Sequence, residues 1–343
     1  MKTGTSNRAR VSTSISKGRK RWPLLALAGA SALVLGGNAA ADEGGVPFWT
    51  SGQYASMSAM APTVGWTTTL MPYYYNGSVD DSQIFLKGDK LVGGLKSHAG
   101  AMYGQLQYAW DTKILGGVPM LGMSWGAGNV GTSANLLVTL PSGGMDRTWS
   151  DSVSGGTDLY PIASLSWAKG NDNWMAYVTG DIPVGAYNAK RLSNLGIGHG
   201  AIDAGGGYTY MNQTTGFELS AVAGVTYNWN NPDTNYRSGV DSHLDWAISQ
   251  YLSESWEIGV AGYVYYQLSN DTYSTDGPIG EVRQRALGGF RSRVASVGPE
   301  IGYVFKVGKQ TGYLNIRGYK EFWAQNRLEG YSLFATINIP LGQ

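Results

Sequence analysis

Phe217-Glu218-Leu219-Ser220-Ala221-Val222-Ala223-Gly224-Val225-Thr226-Tyr227-Asn228-Trp229 is the stretch whose reading decides the fold. Phe217, Leu219, Ala221, Ala223, Val225, Tyr227 and Trp229 share one parity, and Glu218, Ser220, Thr226 and Asn228 share the other. Side chains alternate across a strand, so this period of two places an apolar set on one face and a polar set on the opposite face. The same alternation continues outward. Leu244, Trp246, Ile248 and Leu252 oppose Asp241, His243, Asp245 and Ser249, while Trp256, Ile258, Val260, Val264, Tyr266 and Leu268 oppose Glu257, Ala261, Tyr263, Tyr265 and Gln267. Near the end of the chain, Tyr331, Leu333, Ala335, Ile337 and Ile339 oppose Ser332, Thr336 and Asn338.

The pattern predicts an all-β chain with strands at 65–75, 90–110, 117–140, 157–168, 172–182, 199–211, 216–229, 239–252, 255–268, 289–306, 311–323 and 328–341. Connections between them alternate between long (76–89, 141–156, 183–198, 230–238, 269–288) and short; the last, Ala324 to Arg327, is the exception. Short turns at one end, long loops at the other and an even strand count are the marks of a transmembrane antiparallel β-barrel. The expectation is about twelve strands. Fourteen result if 90–110 and 117–140 each break at glycine, at Gly100 or Gly104 and at Gly128 or Gly131. Near Gly298-Pro299 the parity fails, because Arg291 and Arg293 align with Ile301, Tyr303 and Phe305. A bulge there, or arginines at the outer rim against lipid phosphates, would account for it.

The start of the chain reads as an address. Residues 1–41 hold seven bases and no acid, then the apolar run Trp22 to Gly37, then Asn38-Ala39-Ala40-Ala41. A basic region, a short apolar region and a small-residue site make a secretory signal peptide, with cleavage expected before Asp42. Localisation follows as the outer membrane of a Gram-negative bacterium. The chain has 25 Lys and Arg against 24 Asp and Glu, so losing this segment leaves 18 bases and a net charge of about −6. A nucleic-acid partner is then disfavoured, since phosphate binding needs a basic face. Residues 42–64, with Phe48, Trp49, Tyr54, Met57 and Met60, are either a disordered lead or a lumen plug; 65–343 are the barrel. Oligomeric state carries no signal.

The chain has no cysteine and three histidines, which removes thiol chemistry and cysteine-type metal sites. Gly126 to Gly131 matches G-x-G-x-x-G, but a dinucleotide site needs a following helix. Gly122-Met123-Ser124-Trp125-Gly126 matches G-x-S-x-G, but a nucleophile elbow needs a strand–turn–helix context. His98, His199 and His243 are each followed by residues that break the His-x-Ser pair of outer-membrane phospholipases. Ser242 and His243 are adjacent and so face opposite sides. No enzyme activity, metal or cofactor is expected.

With the apolar parity against lipid, the opposite parity lines the lumen. That set is Asp158, Tyr160, Asp203, Glu218, Asp241, His243, Asp245, Glu257, Tyr263, Tyr265, Gln267, Glu300, Arg317 and Glu321. Acids outnumber bases, which disfavours anions. Buried carboxylates need partners, and Arg317, His243 and the tyrosine hydroxyls are the expected ones. Tyrosines among short polar groups suit a small aromatic solute.

Several longer runs are similar to one known family. They include Asp42 to Trp49, Gly156 to Pro161, Asn173 to Tyr177, Ile182 to Tyr187, Ala201 to Tyr210, Asn231 to Thr234 and Gly239 to Trp246. They resemble the proteins of the meta-pathway of phenol degradation across essentially the whole mature chain. That resemblance implies an outer-membrane, transporter-like barrel accompanying pathways for aromatic or hydrophobic compounds, and hence their passive uptake. It supplies no binding or catalytic residues. The alternatives are a general diffusion or sugar-type porin, a non-transporting structural barrel, or an outer-membrane enzyme. The end, Ile339-Pro340-Leu341-Gly342-Gln343, departs from the terminal aromatic of many such barrels.

Overall fold

The structure is a computed structural model and describes residues 47–79, 84–87, 90–140, 143–273 and 291–342, with Met1 and the pair Asn38–Ala39. Most of the expected signal segment, its expected cleavage site and most of the loop at 269–288 lie outside the described residues.

Twelve antiparallel strands form the wall. They are β1 (Gly65–Ser78), β2 (Lys90–Ala109), β3 (Val118–Leu140), β4 (Tyr160–Lys169), β5 (Asp172–Asp181), β6 (Ala201–Asn212), β7 (Phe217–Asn228), β8 (Asp241–Tyr251), β9 (Trp256–Gln267), β10 (Arg293–Val307), β11 (Gln310–Gln325) and β12 (Glu329–Gly342). Each pairs with its neighbours in the chain. The wall closes where β12 pairs with β1, in the register Phe334↔Tyr73 and Asn338↔Thr69. Closure satisfies the backbone without an open edge in the hydrocarbon, the condition for spanning a bilayer with strands.

The alternation decides which side faces out. Along β7, Glu218, Ser220, Val222, Thr226 and Asn228 are buried, while Val225 and Tyr227 are exposed. Ile248, Ile258, Val260, Ile301, Ile316 and Leu333 join an exposed apolar belt, with Trp66, Trp174, Trp256, Phe322 and Trp323 exposed toward its ends. On a soluble protein an apolar surface of this extent would be a liability; against lipid tails it is the low-energy face.

Two strand expectations change. The stretch 141–156 is not a loop throughout: Gly143–Gly156 is a strand paired with the upper half of β3, from Ala127↔Gly156 to Leu140↔Gly143. β3 therefore reaches past the barrel, and only Val118–Ser124 pairs with β4. β2 and β3 also run through their glycines unbroken, which gives twelve wall strands rather than fourteen. At Gly128 the glycine is needed for close approach, since a Cβ would lie 2.4 Å from the Gly100 carbonyl oxygen. Pairing with β9 continues smoothly across Gly298 and Pro299; the irregularity lies instead between Arg293 and Ala295. Arg293 keeps the outward parity and stacks on Trp323, 4.4 Å from the ring centre.

Candidate functional site: the lumen and the segment inside it

Residues 47–64 precede β1 and run inside the barrel. They have no strand period, and their backbone polar groups are taken up by lumen side chains instead of a ladder. Asp245 accepts from the N–H groups of Gly52 (2.9 Å) and Tyr54 (3.2 Å). Glu218 accepts from the Met57 N–H at 2.9 Å, and Thr209 Oγ1 from the Ala59 N–H at 3.0 Å. The Ser56 hydroxyl donates to Glu300 at 2.7 Å. From the opposite wall Arg317 donates through Nε to the Gly52 carbonyl (3.0 Å) and through Nη2 to the Gln53 carbonyl (2.7 Å). Trp49 lies flat on the His243 ring, with centres 3.5 Å apart. Hydrogen bonds to charged groups contribute about 1.5–3 kcal/mol each where water is excluded, so this set holds the segment firmly.

The remaining carboxylates find the tyrosines. Asp203 accepts from Tyr177 (2.7 Å) and Thr226 (2.6 Å) and pairs with His243 Nε2 at 3.0 Å. Asp241 accepts from Tyr265 at 2.6 Å, Glu257 from Tyr313 at 2.9 Å and Glu321 from Tyr263 at 2.8 Å. Glu321 also accepts from Tyr75, at 2.9 Å. Gln267 reaches the Ser269 carbonyl at 2.9 Å and supports the base of an outer loop. Tyr160 stands on the wall beside Phe48, with ring centres 6.0 Å apart. A buried charge is tolerated only when its lone pairs or protons are taken up in this way.

One sequence-derived residue takes another place than the lumen ladder assigned it, and a second takes other partners. Asp158 sits at the outer end and accepts from the backbone of the 182–200 connection, at Gly185 (2.6 Å) and Ile197 (2.9 Å). Burial pushes its carboxyl above the ordinary aspartate range, against those N–H groups and that of Val184. Arg317 does not serve a carboxylate directly. Its four hydrogen bonds go to Gly52, Gln53, Asn315 and Thr336, and its guanidinium lies 4.8 Å over the Phe334 ring.

Sequence reasoning missed Tyr177, Tyr313, Phe334 and Tyr75 as lumen residues. Tyr313 shares the parity of Arg317 and Glu321, so extending the alternation along β11 would have found it. Phe334 is inward by the same test on β12. The outer connection 182–200 turns inward: Leu192 packs with Leu95 and Ala134, and Leu195 with Ala99, Val130 and Val153. Between the inner segment and the wall lies a cavity of about 380 Å³, lined by Tyr54, Met57, Tyr103, Met120, Tyr160, Ile162 and Arg317 among others. The glycine motifs at 122–131 lie within the single strand β3, not at a strand-to-helix turn.

A closed twelve-stranded wall, an apolar exterior and a polar, occupied lumen define a transmembrane antiparallel β-barrel of the outer-membrane type. The chain belongs to the family of the MetA-pathway of phenol degradation, whose model matches residues 81–337. Among solved structures, an outer membrane channel from Pseudomonas putida F1 superposes with a TM-score of 0.62 at 15% identity, covering 82% of this chain and 97% of that one. A FadL homologue of Pseudomonas aeruginosa gives a TM-score of 0.43 at 10% identity, covering 81% and 91%. The first likeness shows the fold. No curated protein matches the chain.

Proposed function

We propose that this protein is an outer-membrane channel for passive uptake of small hydrophobic, aromatic compounds, with residues 47–64 as an internal plug. The observation that carries the reading is the cavity of about 380 Å³ beside the plug, where the rings of Tyr54, Tyr103 and Tyr160 and the thioethers of Met57 and Met120 stand among hydroxyl and amide groups such as Thr67, Gln105 and Asn315. Flat apolar contact plus a small number of hydrogen bonds suits a single-ring solute. The family's association with phenol degradation agrees. The proposed partners are therefore membrane lipid outside and a small aromatic solute inside. An open porin for sugars or ions would need a wide aqueous lumen, whereas here the inner segment and the inward connection 182–200 share it.

The test is solute entry into proteoliposomes. Phenol should enter faster with the protein than without it, and a disaccharide should not. Equal acceleration of both solutes would contradict the reading and favour a general pore.

A further inference from the structure

Gly52 is read by the lumen on both of its polar groups. Its N–H donates to Asp245 Oδ1 at 2.9 Å. Its carbonyl accepts from Arg317 Nε at 3.0 Å and from the Tyr319 hydroxyl at 3.2 Å. The residue is also tightly enclosed, since a Cβ on it would lie 2.7 Å from Tyr319 Cε2 and 2.8 Å from Tyr263 Cδ1. Tyr263 meets Tyr319 edge-on at 5.2 Å between centres, and Tyr319 meets Phe334 at 5.8 Å. All three rings are at most 2% exposed. The site is thus a narrow aromatic slot with an acceptor on one side and donors on the other, occupied by the backbone of Gly52, whose N–H and C=O belong to two successive peptide units.

We infer that this slot, formed by Asp245, Arg317, Tyr263, Tyr319 and Phe334, is the solute-recognition site, and that Gly52 of the plug fills it in place of the solute. The inference rests on the uptake reading above and names its substrate class. Once residues 50–56 leave it, the slot takes a planar, neutral aromatic whose polar group both donates and accepts, such as a phenolic hydroxyl or a carboxamide. The donated hydrogen goes to Asp245, and the oxygen accepts from Arg317 and Tyr319. An aromatic carboxylate lacks the hydrogen that Asp245 requires and brings a second negative charge beside it, so the slot rejects it. A bare hydrocarbon leaves both polar groups unpaired and is bound less well than a phenol. Solute and plug compete, so a bound solute displaces residues 50–56 from the wall.

The absence of native cysteine permits a direct test. Ser58 Oγ is buried and makes no hydrogen bond, so Ser58→Cys places a thiol on the plug without removing a contact. The labelling rate of S58C by a hydrophilic maleimide, on the refolded mature protein at pH 7.4, reports displacement. Phenol and benzamide should accelerate labelling at about tenfold lower concentration than toluene, the factor that one net hydrogen bond supplies. Benzoate should not accelerate it. In S58C/Asp245→Asn the basal rate will rise, so the readout is potency relative to toluene, which should fall for phenol and benzamide and hold for acetophenone, which only accepts. Equal potency of toluene and phenol, or greatest potency of benzoate, overturns the inference. So does no acceleration by any solute while phenol still enters proteoliposomes, which leaves the uptake reading standing. Loss of phenol entry itself would remove that reading instead.

Discussion

Gly52 holds a backbone angle of φ +85°, which favours glycine, between two tyrosine rings. Gly52→Ala should therefore expel the plug locally while leaving the wall intact. The expected outcome is raised channel conductance with unchanged resistance of the barrel to unfolding in detergent. Asp203 gathers Tyr177, Thr226 and His243 in a site 0% exposed, so Asp203→Asn leaves donors facing donors. A loss of about 1–3 kcal/mol of stability is expected, read from urea or guanidinium unfolding in detergent. At the outer end, burial raises the Asp158 carboxyl. A raised value in the folded state means that the folded chain binds this proton more tightly than the unfolded one. The contribution is present below the unfolded pKa and is lost as pH rises through the folded value. Protease protection of the 182–200 connection should then decline as pH rises from roughly 4 through the raised value, and Asp158→Asn should flatten that dependence.

At the scale of elements, the wall strands were legible because each has lipid on one side and polar groups on the other. The resulting alternation along β7, β8, β9 and β12 survives even where Ala, Gly and Ser dilute it. The strand Gly143–Gly156 was not legible. Its residues Ser150, Asp151, Ser152 and Ser154 are polar on both parities, and its pairing partner is the upper part of β3, beyond the apolar belt. Without a lipid face there is no alternation to read. Residues 42–64 gave only an open choice between a disordered lead and a plug, since the fit of 47–64 depends on side chains such as Asp245 and Arg317, remote in sequence. The carboxylates' need for partners was legible. That Arg317 would serve backbone carbonyls, with Tyr75, Tyr177 and Tyr313 serving acids, depends on registers that only closure fixes. Deleting residues 47–60 should leave the wall folded, because strand pairing does not involve them. The deletion should increase steady conductance, as measured in planar bilayers.

Across the whole molecule, the lumen concentrates Asp203, Glu218, Asp241, Asp245, Glu257, Glu300 and Glu321 against few cations. An unplugged lumen should therefore prefer cations weakly, seen as the sign of the reversal potential in a salt gradient. A clear anion preference would mean that Arg317 and Arg327, the latter 3.9 Å from Glu321, control the field rather than the carboxylates. The exterior and interior requirements are met by one sequence pattern, and the plug supplies what the wall alone lacks: partners for polar groups that would otherwise face an open pore.

The measurement that tests the central claim most directly is single-channel conductance of the refolded mature protein, with phenol added on one side and with the 47–60 deletion as reference. The account predicts low conductance in the intact protein, higher conductance in the deletion variant, and block of the deletion variant by phenol within the lumen. Conductance equal in both proteins and indifferent to phenol would contradict it.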